Sequence, residues 1–282
     1  MHKWSLIWLG VSFISLVIAV IIGRIRESKK MNSMSKKLVD ECSDLEHDHI
    51  DIESSTNLPP PVIGYLKHVL LDVHKPIKKV KLSQSGKIRT NIKSDNWYFF
   101  TAEQVVIPSA PGFIWNAKIK MPFGTHLRVL DSYDAGVGAG RVSLCSTFVI
   151  ASDADKEELN SAALLRYLAE FPWYPTAFLS KSGVILSAKD ERSAIATLTD
   201  NGSAVSLEFR FNESDEIVSI YSPGRFQRTE AGYKKTPWEG HFSNYQIHNG
   251  IRIPTYGEVG WYEEGVLNLV WRGNILGVQY EF

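Results

Sequence analysis

From about residue 77 onward, apolar side chains recur at every second position, and this period constrains the fold more than any other feature. Phe113, Trp115, Ala117, Ile119 and Met121 alternate with Ile114, Asn116, Lys118 and Lys120. Val205, Leu207, Phe209 and Phe211 alternate with Ser206, Glu208 and Arg210, and Ala194, Ala196 and Leu198 form a third such face. Side chains along a strand point alternately to opposite faces, so these runs read as half-buried strands. Asn201-Gly202 and Asn249-Gly250 separate alternating runs. Both dipeptides suit two-residue hairpin turns that need positive φ at both central positions. Glu213-Ser214-Asp215, Glu264-Gly265 and Gly273-Asn274 read as further turns. Short connections make sequential strands antiparallel neighbours. The expected fold is mainly β (α+β), a long meander rather than a βαβ array.

One helix interrupts the meander. Ser152 or Asp153 can cap a helix over Asp155–Glu170, with Asp155, Glu157 and Glu158 in its first turn, where the dipole favours acids. Leu159, Ala162, Ala163, Arg166, Tyr167 and Glu170 follow helical spacing, and Leu164, Leu165 and Leu168 widen the apolar face. Such a helix is expected to be buried across the sheet or in its open side. A second amphipathic helix is read at Val62–Val73, after the stiff Pro59-Pro60-Pro61.

Upstream, Trp4–Gly23 holds 20 residues without a charge, about 30 Å as a helix and enough to span a bilayer core. It is read as a retained transmembrane anchor (1–23), because no small-x-small cleavage pattern follows it. Residues 24–57 carry a basic block and then an acidic one with no apolar period, and are read as a charged, flexible tether. Residues 58–282 form a single β-rich domain. A single-pass membrane localisation follows. Arg24, Arg26, Lys29, Lys30, Lys36 and Lys37 after the span place the domain in the cytoplasm by the positive-inside rule.

Composition excludes little. Formal net charge is zero, from 31 basic and 31 acidic residues, which argues against nucleic-acid binding. Cys42 and Cys145 make neither a disulfide framework nor a zinc spacing. His47-Asp48-His49 lacks partners to complete a metal site, and Ser33-Met34-Ser35-Lys36 lacks the companion motifs of S-x-x-K acyl enzymes. No cofactor and no metal are expected. The glycine-rich Asp134–Gly140 has strand-like flanks on both sides, which suits a tight hairpin rather than a phosphate loop. The lysines between His74 and Lys93 read as a solvent face guarding a sheet edge.

Several segments together carry a resemblance: Leu58-Pro59-Pro60-Pro61 with Tyr65, Gln84–Arg89, Pro111–Trp115, Leu165–Glu170, Trp173–Ala177, Arg225, Trp238-Glu239-Gly240, Tyr245, Gly250–Pro254 and Trp271-Arg272-Gly273. Over roughly residues 58–275 the chain resembles an uncharacterised bacterial domain-of-unknown-function family found behind an N-terminal hydrophobic segment. That pattern is similar to the lipoprotein-carrier folds of the bacterial envelope. The resemblance implies a curved antiparallel sheet wrapped on a helix, an apolar cavity for acyl chains, and an extracytoplasmic domain. The last point opposes the charge bias, so the membrane side stays open.

Three functional readings follow. The first is a binding domain at the membrane, partnered by the bilayer through residues 4–23, whose curved sheet takes a lipid or other apolar ligand. Its candidate site residues are Trp115, Arg166, Tyr167, Glu170, Trp173, Arg225 and Trp238. It requires an internal pocket of about 300 Å³ or more. The second is an enzyme using Glu170 or Asp190 as acid or base beside Arg166 or Arg225, which requires those groups to converge in one cleft. The third is a structural or interaction module of an envelope complex, which requires an exposed apolar patch. Protein partners are not legible.

Overall fold

The alternating runs form thirteen strands of one antiparallel sheet: β1 (Lys79–Ile88), β2 (Tyr98–Ile107), β3 (Gly112–Lys120), β4 (His126–Asp134), β5 (Val137–Leu144), β6 (Phe148–Ala154), β7 (Val184–Asp190), β8 (Ser193–Asp200), β9 (Ser203–Phe211), β10 (Ile217–Thr229), β11 (Gly232–His248), β12 (Ile251–Glu263) and β13 (Val266–Glu281). The computed structural model that shows this describes residues 2–40, 50, 52, 58–71, 73–92, 94–179 and 183–282. The order across the sheet is β6-β5-β4-β3-β2-β1-β13-β12-β11-β10-β9-β8-β7. It is two meanders joined where the first strand pairs with the last, Lys79 opposite Glu281 and Ile88 opposite Trp271.

Local chemistry builds the hairpins. Both central residues have positive φ at Ala135-Gly136, Asn201-Gly202, Asn249-Gly250 and Glu264-Gly265. These turns match the right-handed twist of the strands they join. The glycine-rich segment is therefore the β4–β5 hairpin. Gly273-Asn274, read as a turn, instead lies inside β13 paired to β12 and β1. The lysines of β1 face out from the middle of the sheet, since β1 is paired on both sides. The edges are β6 and β7.

Helix α3 (Glu157–Ala169) sits inside the sheet, in contact with β4 and β5 of one wing and β8, β9 and β10 of the other. A single helix can touch strands so distant in sheet order only if the sheet curls around it. The wings also meet directly, through the Tyr133 hydroxyl donating to Asp200 at 2.7 Å. Gly138 of β5 permits the closest approach: a Cβ there would stand 2.7 Å from the Leu159 carbonyl oxygen of α3. The residues expected to cap this helix, Ser152 and Asp153, belong to β6 and pair with Arg141 and Gly140. Lys156 holds the N-cap position, without a side-chain bond.

Two 3-10 turns, Phe171–Trp173 and Pro175–Leu179, continue from α3 into the core. Phe171 packs edge-on against Phe178 at 5.0 Å, and Phe178 against Phe209 of β9 at 5.1 Å. Each such side chain, fully buried, contributes about 1.5–3 kcal/mol. Helix α2 (Pro60–Val69) begins with prolines in its first turn, where a missing N–H costs nothing. Its Val62, Tyr65, Leu66 and Val69 are buried against the same core.

The N-terminal expectation is corrected. Helix α1 (His2–Asp40) does not end at Gly23 but runs on through the basic residues that follow it. Its later turns dock on the outer face of the first wing. Leu38 is buried with Ile107, Ile114 and Leu130, and Glu27 pairs with Arg141 at 2.8 Å. Among the described residues no helix is long and apolar enough to cross a membrane. A single-pass membrane localisation is thus not supported, and the positive-inside comparison has no span to orient. Cys42, His47-Asp48-His49 and Lys93 lie outside the described residues.

Candidate ligand-binding site

Inside the curl, between α3 and the strands that face it, is a cavity of about 180 Å³. Its walls are aromatic: Trp115 from β3, Trp173 from the first 3-10 turn, Trp238 and Phe242 from β11, and Trp271 from β13. Ile88, Asp131, Arg166, Arg225, Val259 and Trp271 line it while remaining partly open to solvent. Period-2 alternation puts all these strand residues on one face, and the curl turns that face inward. The volume falls short of the roughly 300 Å³ that the lipid-binding reading requires, so a cavity for a complete lipid or drug-sized ligand is not met here, and only part of such a ligand would fit.

Six of the seven candidate residues line this space: Trp115, Arg166, Glu170, Trp173, Arg225 and Trp238. Tyr167 does not. It is fully buried elsewhere in the core, its hydroxyl donating to the carbonyls of Ile107 and Pro108 at 3.1 and 2.9 Å. Asp190 is also remote, in the β7–β8 turn, where it accepts from the Ser193 hydroxyl at 2.6 Å and the Arg192 N–H at 2.9 Å. Glu170 and Asp190 thus do not share a cleft.

A polar chain lies along one wall. Trp115 Nε1 donates to Gln84 Oε1 at 2.8 Å, Gln84 Nε2 to Gln104 Oε1 at 3.1 Å, and Gln104 Nε2 to Glu170 Oε2 at 2.5 Å. The other Glu170 oxygen accepts from Arg166 Nε at 2.8 Å, and Arg166 Nη1 reaches Asp131 at 3.2 Å. One turn of α3 separates Arg166 from Glu170, the spacing at which helical side chains meet. Burial alone would lower the Arg166 guanidinium, but Glu170 and Asp131 outweigh it and hold Arg166 above its ordinary value. Burial pushes the Asp131 carboxyl up, against the pull of Arg166 and Arg225.

Arg225 is differently placed. Its guanidinium stacks on Trp238 at 4.5 Å and on Trp261 at 5.4 Å, two rings directly opposite each other in the β11–β12 register. Cation–π attraction orients it there. Burial, then repulsion from Arg166, pushes Arg225 down to about 10, so it remains a cation at neutral pH.

Sequence reasoning missed Gln84, Gln104, Asp131, Trp261 and Trp271. The signal for the two glutamines was present: each is a polar residue at a buried position of an otherwise apolar strand face, as in Phe100, Ala102, Gln104 and Val106. A buried amide in such a row marks a hydrogen-bonded network. Trp261 had no comparable local mark, because only the β11–β12 register sets it opposite Trp238.

No curated protein matches the sequence. Solved structures similar over most of the chain include a domain provisionally assigned as an outer membrane lipoprotein-sorting protein from Vibrio parahaemolyticus. It is 10% identical, with a TM-score of 0.44, over 72% of this chain and 85% of that one. A DUF1329 family protein from Desulfovibrio piger is 10% identical, with a TM-score of 0.42, over 80% of this chain and 93% of that one. A LolA superfamily protein from Nitrosomonas europaea is 9% identical, with a TM-score of 0.37, over 77% and 92%. A sequence family is also matched, over residues 56–280, which is most of the chain. The protein belongs to that family, a family of unknown function designated DUF6920.

Proposed function

We propose that the domain is a binding module, and that its ligand is an apolar group, such as part of a lipid, held in the aromatic cavity on the inner face of the curled sheet. The observation that carries this reading is the convergence of Trp115, Trp173, Trp238, Phe242 and Trp271 around a space with a partly open rim. Concave, mostly apolar walls with a few placed polar groups are what small-molecule sites present. The volume of about 180 Å³ limits what is enclosed to a ring or the end of a chain, with the rest of the ligand outside. An acid–base role gains no support from the geometry. Both Glu170 oxygens are engaged by Gln104 and Arg166, and Asp190 is far from either arginine of the cavity.

The test is native mass spectrometry with solvent extraction on the full chain purified from its own host. A co-purifying apolar molecule is the expected result. A clean apo mass, with no uptake of added short-chain amphiphiles and no change in tryptophan emission, would overturn the reading.

A second reading, an interaction module, is favoured by α1. Ile14, Val17, Ile18, Ile21, Ile22 and Ile25 are each about half exposed on it, a longer apolar run than ordinary surface scatter. Replacing Ile14, Ile18 and Ile21 by Ser should then abolish self-association or partner capture. Unchanged association would remove this reading.

A further inference from the structure

Resting on the cavity reading, we infer that the ligand carries an oxyanion head, a carboxylate or phosphate on an apolar tail, and that Arg225 with the Trp238 indole receives it. The two arginines of the cavity are not equivalent. Arg166 is neutralised in place by Glu170 at 2.8 Å and Asp131 at 3.2 Å. Among the described residues no carboxylate lies within ion-pair distance of Arg225. Among the described residues its one hydrogen bond is long, from Nη2 to the Ala162 carbonyl at 3.4 Å.

Two donors on adjacent stacked groups are left over. Arg225 Nε and Trp238 Nε1 are both buried and make no hydrogen bond, and so is the hydroxyl of Thr236, the residue paired with Arg225 across β10–β11. Buried donors in folded proteins almost always have acceptors. Asp131 and Glu170 act on Arg225 only through space, and a largely buried guanidinium with no contact ion pair is costly unless something anionic meets it. The planar fork suits carboxylate or phosphate, and the indole N–H donates without competing for the charge. The guanidinium carbon lies over the Trp238 and Trp261 rings, 4.5 and 5.4 Å from their centroids, which holds it at the cavity wall. The adjoining aromatic walls accept the tail. The ligand class is therefore an anionic amphiphile with a short enclosed segment, since a neutral lipid's hydroxyl or carbonyl could accept from these donors but would leave the Arg225 charge without a contact partner.

The experiment is calorimetric titration of the full chain with octanoate, octyl phosphate, octanol and inorganic phosphate, repeated on Arg225→Gln and Arg225→Lys. Octanoate or octyl phosphate should bind at least about tenfold more tightly than octanol, the size of a charge-assisted hydrogen bond. Whichever of the two binds better identifies the head. Arg225→Gln should remove that preference and Arg225→Lys should restore part of it, with tryptophan emission and the urea midpoint showing that each variant is folded. Octanol binding equal to octanoate and octyl phosphate, or a preference that survives Arg225→Gln, would overturn the oxyanion inference and leave the cavity reading standing. Inorganic phosphate binding as tightly as octyl phosphate would overturn the amphiphile in favour of a free anion. No binding by any of the four probes would overturn both.

Discussion

Replacing Glu170 by Ala tests whether the polar chain of the cavity wall is a single buried unit. The side chain holds two partners at once, Arg166 Nε at 2.8 Å and Gln104 Nε2 at 2.5 Å. Each is a hydrogen bond to a charged group, worth about 1.5–3 kcal/mol. Removing one member of a buried ion pair costs about 3–5 kcal/mol, because its partner is left uncompensated. Here Asp131 still faces Arg166 at 3.2 Å, but its side chain is 37% exposed, so it offsets only part of the loss. The expected cost is about 3 kcal/mol. For a domain of this size that corresponds to a fall in Tm of about 6–12 °C. Glu170→Gln keeps one acceptor and should cost roughly half as much. Urea unfolding followed by tryptophan emission reads the change directly, as a lower midpoint at unchanged slope. A loss below about 1 kcal/mol for Glu170→Ala would refute the claim that burial makes this network costly to break.

Further outcomes follow from the same structure. Asp131 has a raised carboxyl, so the stability linked to its protonation is fully present below the ordinary carboxylate value of about 3.9 and is lost as pH rises through the raised one. Asp131→Asn should therefore lose the part of the urea midpoint's fall with rising pH that this carboxyl contributes, and an unchanged pH profile would contradict the assignment. Gly138→Ala places a methyl 2.7 Å from the Leu159 carbonyl and should push α3 off β5, at a cost of about 1–3 kcal/mol in urea unfolding. Leu38→Ala should cost about 2–3 kcal/mol, but locally. Hydrogen exchange should then accelerate in residues 24–40 and not in β1–β13, and uniform acceleration would show that α1 is integral to the sheet.

The strands and the pairing of neighbours were legible in the residues alone, because both depend on short-range chemistry. Phe113 through Met121 alternate at period 2 whatever lies beyond them, and Asn-Gly at 201–202 and 249–250 supplies positive φ wherever it stands. The Arg166–Glu170 pair was equally legible, since four residues along a helix fix that distance. Tertiary structure alone decided the rest. The β1–β13 pairing joins residues about two hundred positions apart, and no local pattern announces it. Whether Arg225 or Asp190 would join the α3 cluster turned on which strands the curl brought over the helix. β10 was carried inward while the β7–β8 turn stayed at the sheet edge. The apolar run at Trp4–Gly23 suggested a self-contained span, yet contacts of α1 with β2 and β3, far along the chain, placed its later turns on the sheet. Cavity volume is the extreme case: it is the residue of many long-range packings, each of which adds or removes a methyl group's worth of space, so no stretch of sequence encodes it.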